Sequence, residues 1–193
     1  MALKIKGLKK AFDTTVIIDS LSYEFPECGI VAVTGKSGVG KTTLLRMIAG
    51  LDTRYSGEII GGGLASCSFA FQEYRLFDQL TLLDNVLVAL EKPTVDDAIA
   101  ATALLYRLGF KTGDLKLRPA QLSGGMKQRA ALTRAIMKSS PILLLDEPTK
   151  EIDELPIRNL YAILRDISRD RLVIFTSHRQ EDIDALADFT IEL

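Results

Sequence analysis

Leu3, Ile5, Val16, Ile18, Leu21, Tyr23 and Phe25 alternate with polar neighbours. A period of two predicts short antiparallel strands with one face on a core and the other in water. At Gly29 the pattern changes. Ile30-Val31-Ala32-Val33-Thr34 is a continuous apolar run, which predicts a short strand buried on both faces. Thr42 to Ala49 then carries apolar residues at helical spacing into Gly50. Tyr55 to Ile60 reads as a turn entering a strand, Gly61-Gly62-Gly63 as a turn, and Ser68-Phe69-Ala70-Phe71 as a core strand that delivers Gln72 at its end.

From Leu80 to Arg134 the signal is helical. Leu82, Leu83, Val86, Leu87 and Leu90 repeat at helical spacing as far as Pro93, and Asp96 to Leu108 forms a second amphipathic stretch stopped by Gly109. Ser123, a helix-capping residue type, predicts the start of a third helix. Strand patterns return in Ile142-Leu143-Leu144-Leu145 and Leu172-Val173-Ile174-Phe175-Thr176, with a helical stretch from Pro156 to Ile167 between them. Strand–helix–strand implies parallel pairing. The expected layout is one domain over 1–193, with a core of 1–73 and 135–193 and an α-helical subdomain of 74–134. Ligands of such sheets sit beyond the carboxyl ends of the strands, where Gln72, Asp146 and His178 fall.

The chemistry begins in the loop after the first buried strand. Gly35-Lys36-Ser37-Gly38-Val39-Gly40-Lys41-Thr42 satisfies the phosphate-binding pattern G-x-x-x-x-G-K-[ST] at every fixed position and lies between a strand and a helix. The glycines let the backbone curl and approach a ligand, and successive N–H groups with the helix's positive end attract phosphate. Lys41 is expected to reach the β- and γ-phosphates and the Thr42 hydroxyl to meet Mg²⁺. A dinucleotide-binding G-x-G-x-x-G is excluded, because its third glycine position holds Thr43.

Charge and composition narrow the partners. A formal net charge of −1 with interspersed signs supplies no basic field for nucleic acid. Two cysteines, Cys28 and Cys67, have neither metal-ligand nor redox spacing and read as two buried thiols. No stretch has the roughly 18 apolar residues of a membrane span, and Met1 to Phe12 lacks the apolar run of a signal peptide. The chain is therefore expected in the cytoplasm.

Leu122-Ser123-Gly124-Gly125-Met126-Lys127-Gln128-Arg129 adds the decisive pattern. Together with the phosphate loop, Gln72, Ile142 to Thr149 (Ile-Leu-Leu-Leu-Asp-Glu-Pro-Thr) and Ser177-His178, it resembles the ABC transporter ATPases. That resemblance implies an α/β fold of the P-loop NTPase (RecA-like) kind, with a parallel-sheet core, amino-terminal antiparallel strands and a helical subdomain. It implies ATP and Mg²⁺ as ligands: Gly35, Lys36, Ser37, Gly38, Val39, Gly40, Lys41, Thr42 and Thr43 would hold the nucleotide, and Thr42, Gln72 and Asp146 the metal. Glu147 would orient or deprotonate the attacking water, His178 would contact the γ-phosphate, and Gln72 would pass nucleotide state to the helical subdomain. Ser123, Gly124, Gly125 and Asp153 would serve the ATP of a second copy in a head-to-tail dimer. Phe12 matches the aromatic that stacks on adenine, and as an apolar residue near a strand it reads equally as core.

Lys150-Glu151-Ile152-Asp153 replaces the family's usual Ser-Ala-Leu-Asp and changes the surface between subunits. Few residues follow His178, so the further strands, helix and regulatory carboxyl-terminal domain of relatives are expected to be missing. The leading expectation is the ATP-hydrolysing subunit of a membrane importer, working with a separate transmembrane permease on the inner face of the cell membrane. Phe71 to Phe77 and Gly125 to Arg129 look most like ATPases for nitrate, sulfonate and taurine uptake. The alternatives are a soluble ABC ATPase of repair or translation and a nucleotide-dependent assembly module.

Overall fold

The computed structural model describes residues 2–193. Strands β1 (Lys4–Phe12), β2 (Thr15–Glu24) and β4 (Ser56–Ile60) form a small antiparallel sheet in the order β2-β1-β4. Strands β3 (Gly29–Thr34), β5 (Cys67–Ala70), β6 (Ile142–Asp146), β7 (Leu172–Thr176) and β8 (Phe189–Glu192) form a parallel sheet in the order β5-β6-β7-β3-β8. The helices are α1 (Lys41–Ile48), α2 (Leu82–Leu87), α3 (Val95–Arg107), α4 (Gly124–Met137), α5 (Glu154–Ile167) and α6 (Gln180–Leu186).

The apolar strands are apolar because both faces are covered. Ile30, Leu143, Leu145, Val173 and Phe175 point into a core shared with α2, α3, α4 and α5. Val31, Val33, Leu144 and Ile174 point the other way, onto α1 and the antiparallel sheet. Successive side chains of a strand alternate between faces, so no position on β6 or β7 is left for a polar residue until Asp146 and Thr176, which pair with each other at the sheet's carboxyl edge. Truncating a fully buried leucine such as Leu144 costs about 2–5 kcal/mol.

The helical stretch departs from its expected boundaries for local reasons. α2 stops at Leu87 although the apolar spacing runs on. Ala89 and Leu90 donate to Val86 and Leu87, three residues back, so the chain tightens into a turn. α3 starts a residue early because Thr94 and Asp97 make a reciprocal capping box. α4 starts where expected, with Ser123 Oγ accepting from Met126 N at 3.3 Å, and continues past residue 134 to Met137.

Two expectations are corrected. The residues after His178 do build further structure: α6 buries Leu186, and β8 pairs with β3 while burying Ile191. With one buried residue among exposed neighbours, that strand carries little apolar periodicity. The cysteines are not both buried. Cys28 is exposed in the turn before β3, whereas Cys67 lies under α1 with its thiol against the Ile48 carbonyl, and burial pushes that thiol up to about 11.

Candidate functional site

The phosphate loop joins β3 to α1. Gly35, Gly38 and Gly40 have φ of 131°, 78° and 116°, a region that L side chains rarely adopt. A Cβ at Gly40 would collide with the side chain of Ile17 on β2. Lys41 is 6% exposed. Its ammonium donates to the carbonyls of Gly35 (2.9 Å) and Lys36 (3.0 Å), which aims the charge into the loop's mouth.

The other candidates arrive on neighbouring strand ends. Thr42 Oγ1 donates to Asp146 Oδ1 at 3.1 Å, and Thr176 Oγ1 donates to the same oxygen at 2.8 Å. Burial raises the Asp146 carboxyl above its usual range, with the two hydroxyls opposing the shift. Glu147 follows with φ 50°, a left-handed conformation that costs a non-glycine residue about 1–3 kcal/mol. Its backbone is held in place by neighbours: Thr176 Oγ1 accepts from its N–H at 3.0 Å, and Gln128 Nε2 donates to its carbonyl at 3.3 Å. That turn aims the carboxylate into the cleft, where Oε1 lies 2.9 Å from His178 Nε2 and Oε2 accepts from Gln72 Nε2 at 3.4 Å. Ser37, Gly38, Gly40, Lys41, Thr42, Thr43, Gln72, Asp146, Glu147 and His178 line one cleft of about 230 Å³.

Among the described residues, no group of three or more His, Cys, Asp or Glu is placed to hold a metal by itself. One hydroxyl and one carboxylate, 3.1 Å apart beside a phosphate loop, are hard oxygen donors of the kind that fit Mg²⁺.

Thr43 also lines a second cleft of about 420 Å³, with Phe12, Arg46, Leu51, Asp52, Thr53 and Arg54. Phe12 is 47% exposed and so is not a core residue. Lys10, 3% exposed, lies 4.7 Å from the centre of its ring. The Lys10 ammonium pairs with Asp52 at 2.8 Å and donates to the Arg54 carbonyl at 2.6 Å, which ties β1 to the turn after α1.

Ser123, Gly124 and Gly125 do not line the phosphate cleft. They open α4 against residues 151–152: a Cβ at Gly124 would collide with the Glu151 carboxylate, and one at Gly125 with the Glu151 carbonyl. Asp153 is exposed at the cap of α5 and lines neither cleft.

Sequence reasoning gave no site role to three residues. Thr176 bridges Asp146 and Glu147, and Gln128 ties α4 to Glu147 and Pro148. Asp182, fully buried, accepts from Thr149 Oγ1 (2.6 Å), Ser177 Oγ (2.5 Å) and Tyr161 (2.5 Å), joining the segments that follow β6 and β7. Only its place four residues after His178 hinted at it, because an acid in a helix's first turn is usually solvated.

These features sit on a parallel sheet in a fixed order. The description of the ABC transporter family matches residues 18–150, more than half of the chain. The chain belongs to the ABC transporter family. Among similar ABC proteins, the sulfate/thiosulfate import ATP-binding protein CysA of Escherichia coli K12 is 36% identical over 205 residues, covering 97% of this chain and 56% of that protein. The aliphatic sulfonates import ATP-binding protein SsuB 2 of Rhodococcus jostii is 37% identical over 197 residues, covering 100% of this chain and 78% of that protein. The chain thus spans just over half the length of the CysA relative. A dimeric ATP-binding cassette in a post-hydrolysis state with ADP and Pi superposes with a TM-score of 0.87 at 24% identity, over 99% of this chain and 94% of that one. The ABC cassette fold is therefore the expected P-loop α/β fold with its helical subdomain.

Proposed function

We propose that this ABC chain is the ATP-binding and ATP-hydrolysing subunit of an importer, that it works as a head-to-tail dimer, and that a separate membrane protein carries the solute path. One observation carries the catalytic reading. Glu147 is turned by a left-handed backbone into a cleft that also holds Lys41, Thr42 and Asp146, with His178 and Gln72 on its two oxygens. A triphosphate in the loop places its γ-phosphoryl group before Glu147. The Glu147 carboxylate accepts a proton from water as that water attacks phosphorus and the bond to ADP breaks. Lys41 and the N–H groups of the loop stabilise the charge on the transferred group. Thr42 and Asp146 would hold Mg²⁺, which would supply positive charge to offset that of the phosphates. The base extends past Thr43 into the second cleft and stacks on Phe12. His178 contacts the γ-phosphate, while Ser123, Gly124, Gly125 and Asp153 face the nucleotide of the second copy.

No helix among the described residues is long and apolar enough to cross a membrane, and we assign the solute path to a separate membrane partner. We place that partner on a cleft of about 350 Å³ lined by Leu51, Leu64, Phe69, Phe71, Phe77 and Val88. Arg134 spans its edge by donating to the carbonyls of Tyr74 and Arg75. The likeness to proteins named for import of sulfate, thiosulfate and aliphatic sulfonates supports the importer reading, and makes sulfur oxyanions the solutes to test first. In native membranes, cross-links from Phe77 should reach a multi-span protein, and Lys41→Ala should abolish binding of a fluorescent ATP analogue. Cross-links that never reach a membrane protein would remove the transporter reading. Unchanged nucleotide affinity would remove the phosphate-loop reading.

A further inference from the structure

We propose that Glu151 is a built-in brake on ATP-driven pairing: its carboxylate covers the start of α4, where a second copy's ATP must bind. The inference rests on the head-to-tail reading above and names a control acting on that same site. Three observations support it. Tyr74 donates its hydroxyl to Glu151 Oε2 at 2.5 Å. The carboxylate packs so closely on Gly124 that any Cβ there would collide with it, and the Glu151 carbonyl fills the equivalent space at Gly125. Glu151 also adopts φ 61°, a left-handed conformation disfavoured for a glutamate, so the contact is held against local backbone preference. The neighbouring Ile152 is buried and anchors the turn.

The electrostatics give the contact its consequence. Among the described residues no lysine, arginine or histidine forms an ion pair with Glu151, leaving the Tyr74 hydroxyl and the positive end of α4 as its favourable surroundings. The field of a helix's amino end that favours a carboxylate also favours phosphate. Two anions cannot share it, so a γ-phosphate arriving from a second copy must displace Glu151 and break its bond to Tyr74. Tyr74 stands two residues after Gln72, which touches Glu147, and its carbonyl is held by Arg134 at the edge of the partner cleft. Release of Glu151 therefore loosens the segment that links the catalytic carboxylate to the face proposed for the membrane partner. The glycines beside Ser123 have a second use here, as the notch that admits this chain's own glutamate.

The test compares the full chain carrying Glu147→Gln with the same chain carrying Glu151→Ala or Glu151→Gln in addition. Pairing is read by size-exclusion chromatography with light scattering, over a range of protein concentrations in ATP·Mg²⁺. Glu151→Gln keeps the side chain's volume and removes only its charge, and thermal melting confirms folding of each variant. Both Glu151 variants should pair at protein concentrations about tenfold lower, equivalent to about 1.4 kcal/mol, with the monomer's affinity for a fluorescent ATP analogue unchanged. Pairing restored by Glu151→Ala in a parent that does not pair supports the brake most strongly. Equal or weaker pairing in both variants overturns the brake and leaves the dimer intact. Absence of pairing in every variant overturns the dimer reading, and the brake with it.

Discussion

Replacing Glu147 by glutamine separates nucleotide binding from chemistry. The anchors of residue 147 act on its backbone: Thr176 Oγ1 takes its N–H at 3.0 Å and Gln128 Nε2 reaches its carbonyl at 3.3 Å. An almost isosteric amide leaves both intact, so the left-handed turn and the direction of the side chain persist. Lys41, Thr42 and Asp146 do not bond to the Glu147 side chain, so ATP affinity is expected to be close to that of the parent. What disappears is a proton acceptor 2.9 Å from His178 Nε2. Loss of a general base costs about 10²–10⁴-fold in rate, and at about 1.36 kcal/mol per decade the barrier rises by about 3–5 kcal/mol. The neutral side chain also removes repulsion against the γ-phosphate, so ATP should accumulate in paired copies. A coupled ATPase assay measures the rate, and light scattering with and without ATP·Mg²⁺ measures the pairing. A variant that hydrolyses ATP at the parent rate would remove Glu147 from catalysis, whatever its state of association.

Gly40→Ala should destabilise the fold, because φ of 116° is foreign to alanine and the new Cβ meets Ile17. The backbone strain alone is about 1–3 kcal/mol, and each kcal/mol lowers Tm by roughly 2–4 °C in a domain of this size; a melting curve matching the parent would contradict the loop geometry. Cys28 should react with a thiol reagent in the native protein, whereas Cys67, buried and pushed up to about 11, should react only on unfolding. Tyr74 should titrate near pH 12, since its bond to the Glu151 carboxylate, burial and the like charge of Glu151 all oppose ionisation. Its folded pKa lies above the unfolded value of about 10, so this bond contributes stability that is fully present below pH 10 and lost as pH rises through 12. Glu151→Ala should return the ultraviolet titration of Tyr74 toward its ordinary range, and an unshifted curve would mean that the two side chains do not meet in solution. Lys10→Met should weaken binding of an ATP analogue but not of tripolyphosphate, because Lys10 touches Phe12 and not the phosphate loop; equal loss for both ligands would make Lys10 purely structural.

The sequence by itself determined whatever rests on local periodicity or fixed spacing. Continuous apolar runs announced β3, β6 and β7, because a strand covered on both faces has no polar position to spare. The phosphate loop was legible because its conformation demands glycine where the backbone turns left-handed and a lysine one residue on. Ser123 announced α4 because an unpaired N–H group of a first turn needs a nearby acceptor. Tertiary structure decided what depends on residues far apart in the chain. Sequence left Phe12 between core and surface, and the folded chain exposed it over a buried Lys10 that pairs with Asp52. β8 was invisible because an edge strand that buries chiefly Ile191 carries little apolar signal. Asp182 became a structural hub only when β6 and β7 brought Thr149 and Ser177 to it. Glu151 stays exposed, but only folding set it on Gly124 beside Tyr74, 77 residues away in the chain. Periodicity records which face of an element is covered, while the identity of the atoms that cover it is set only when distant segments meet.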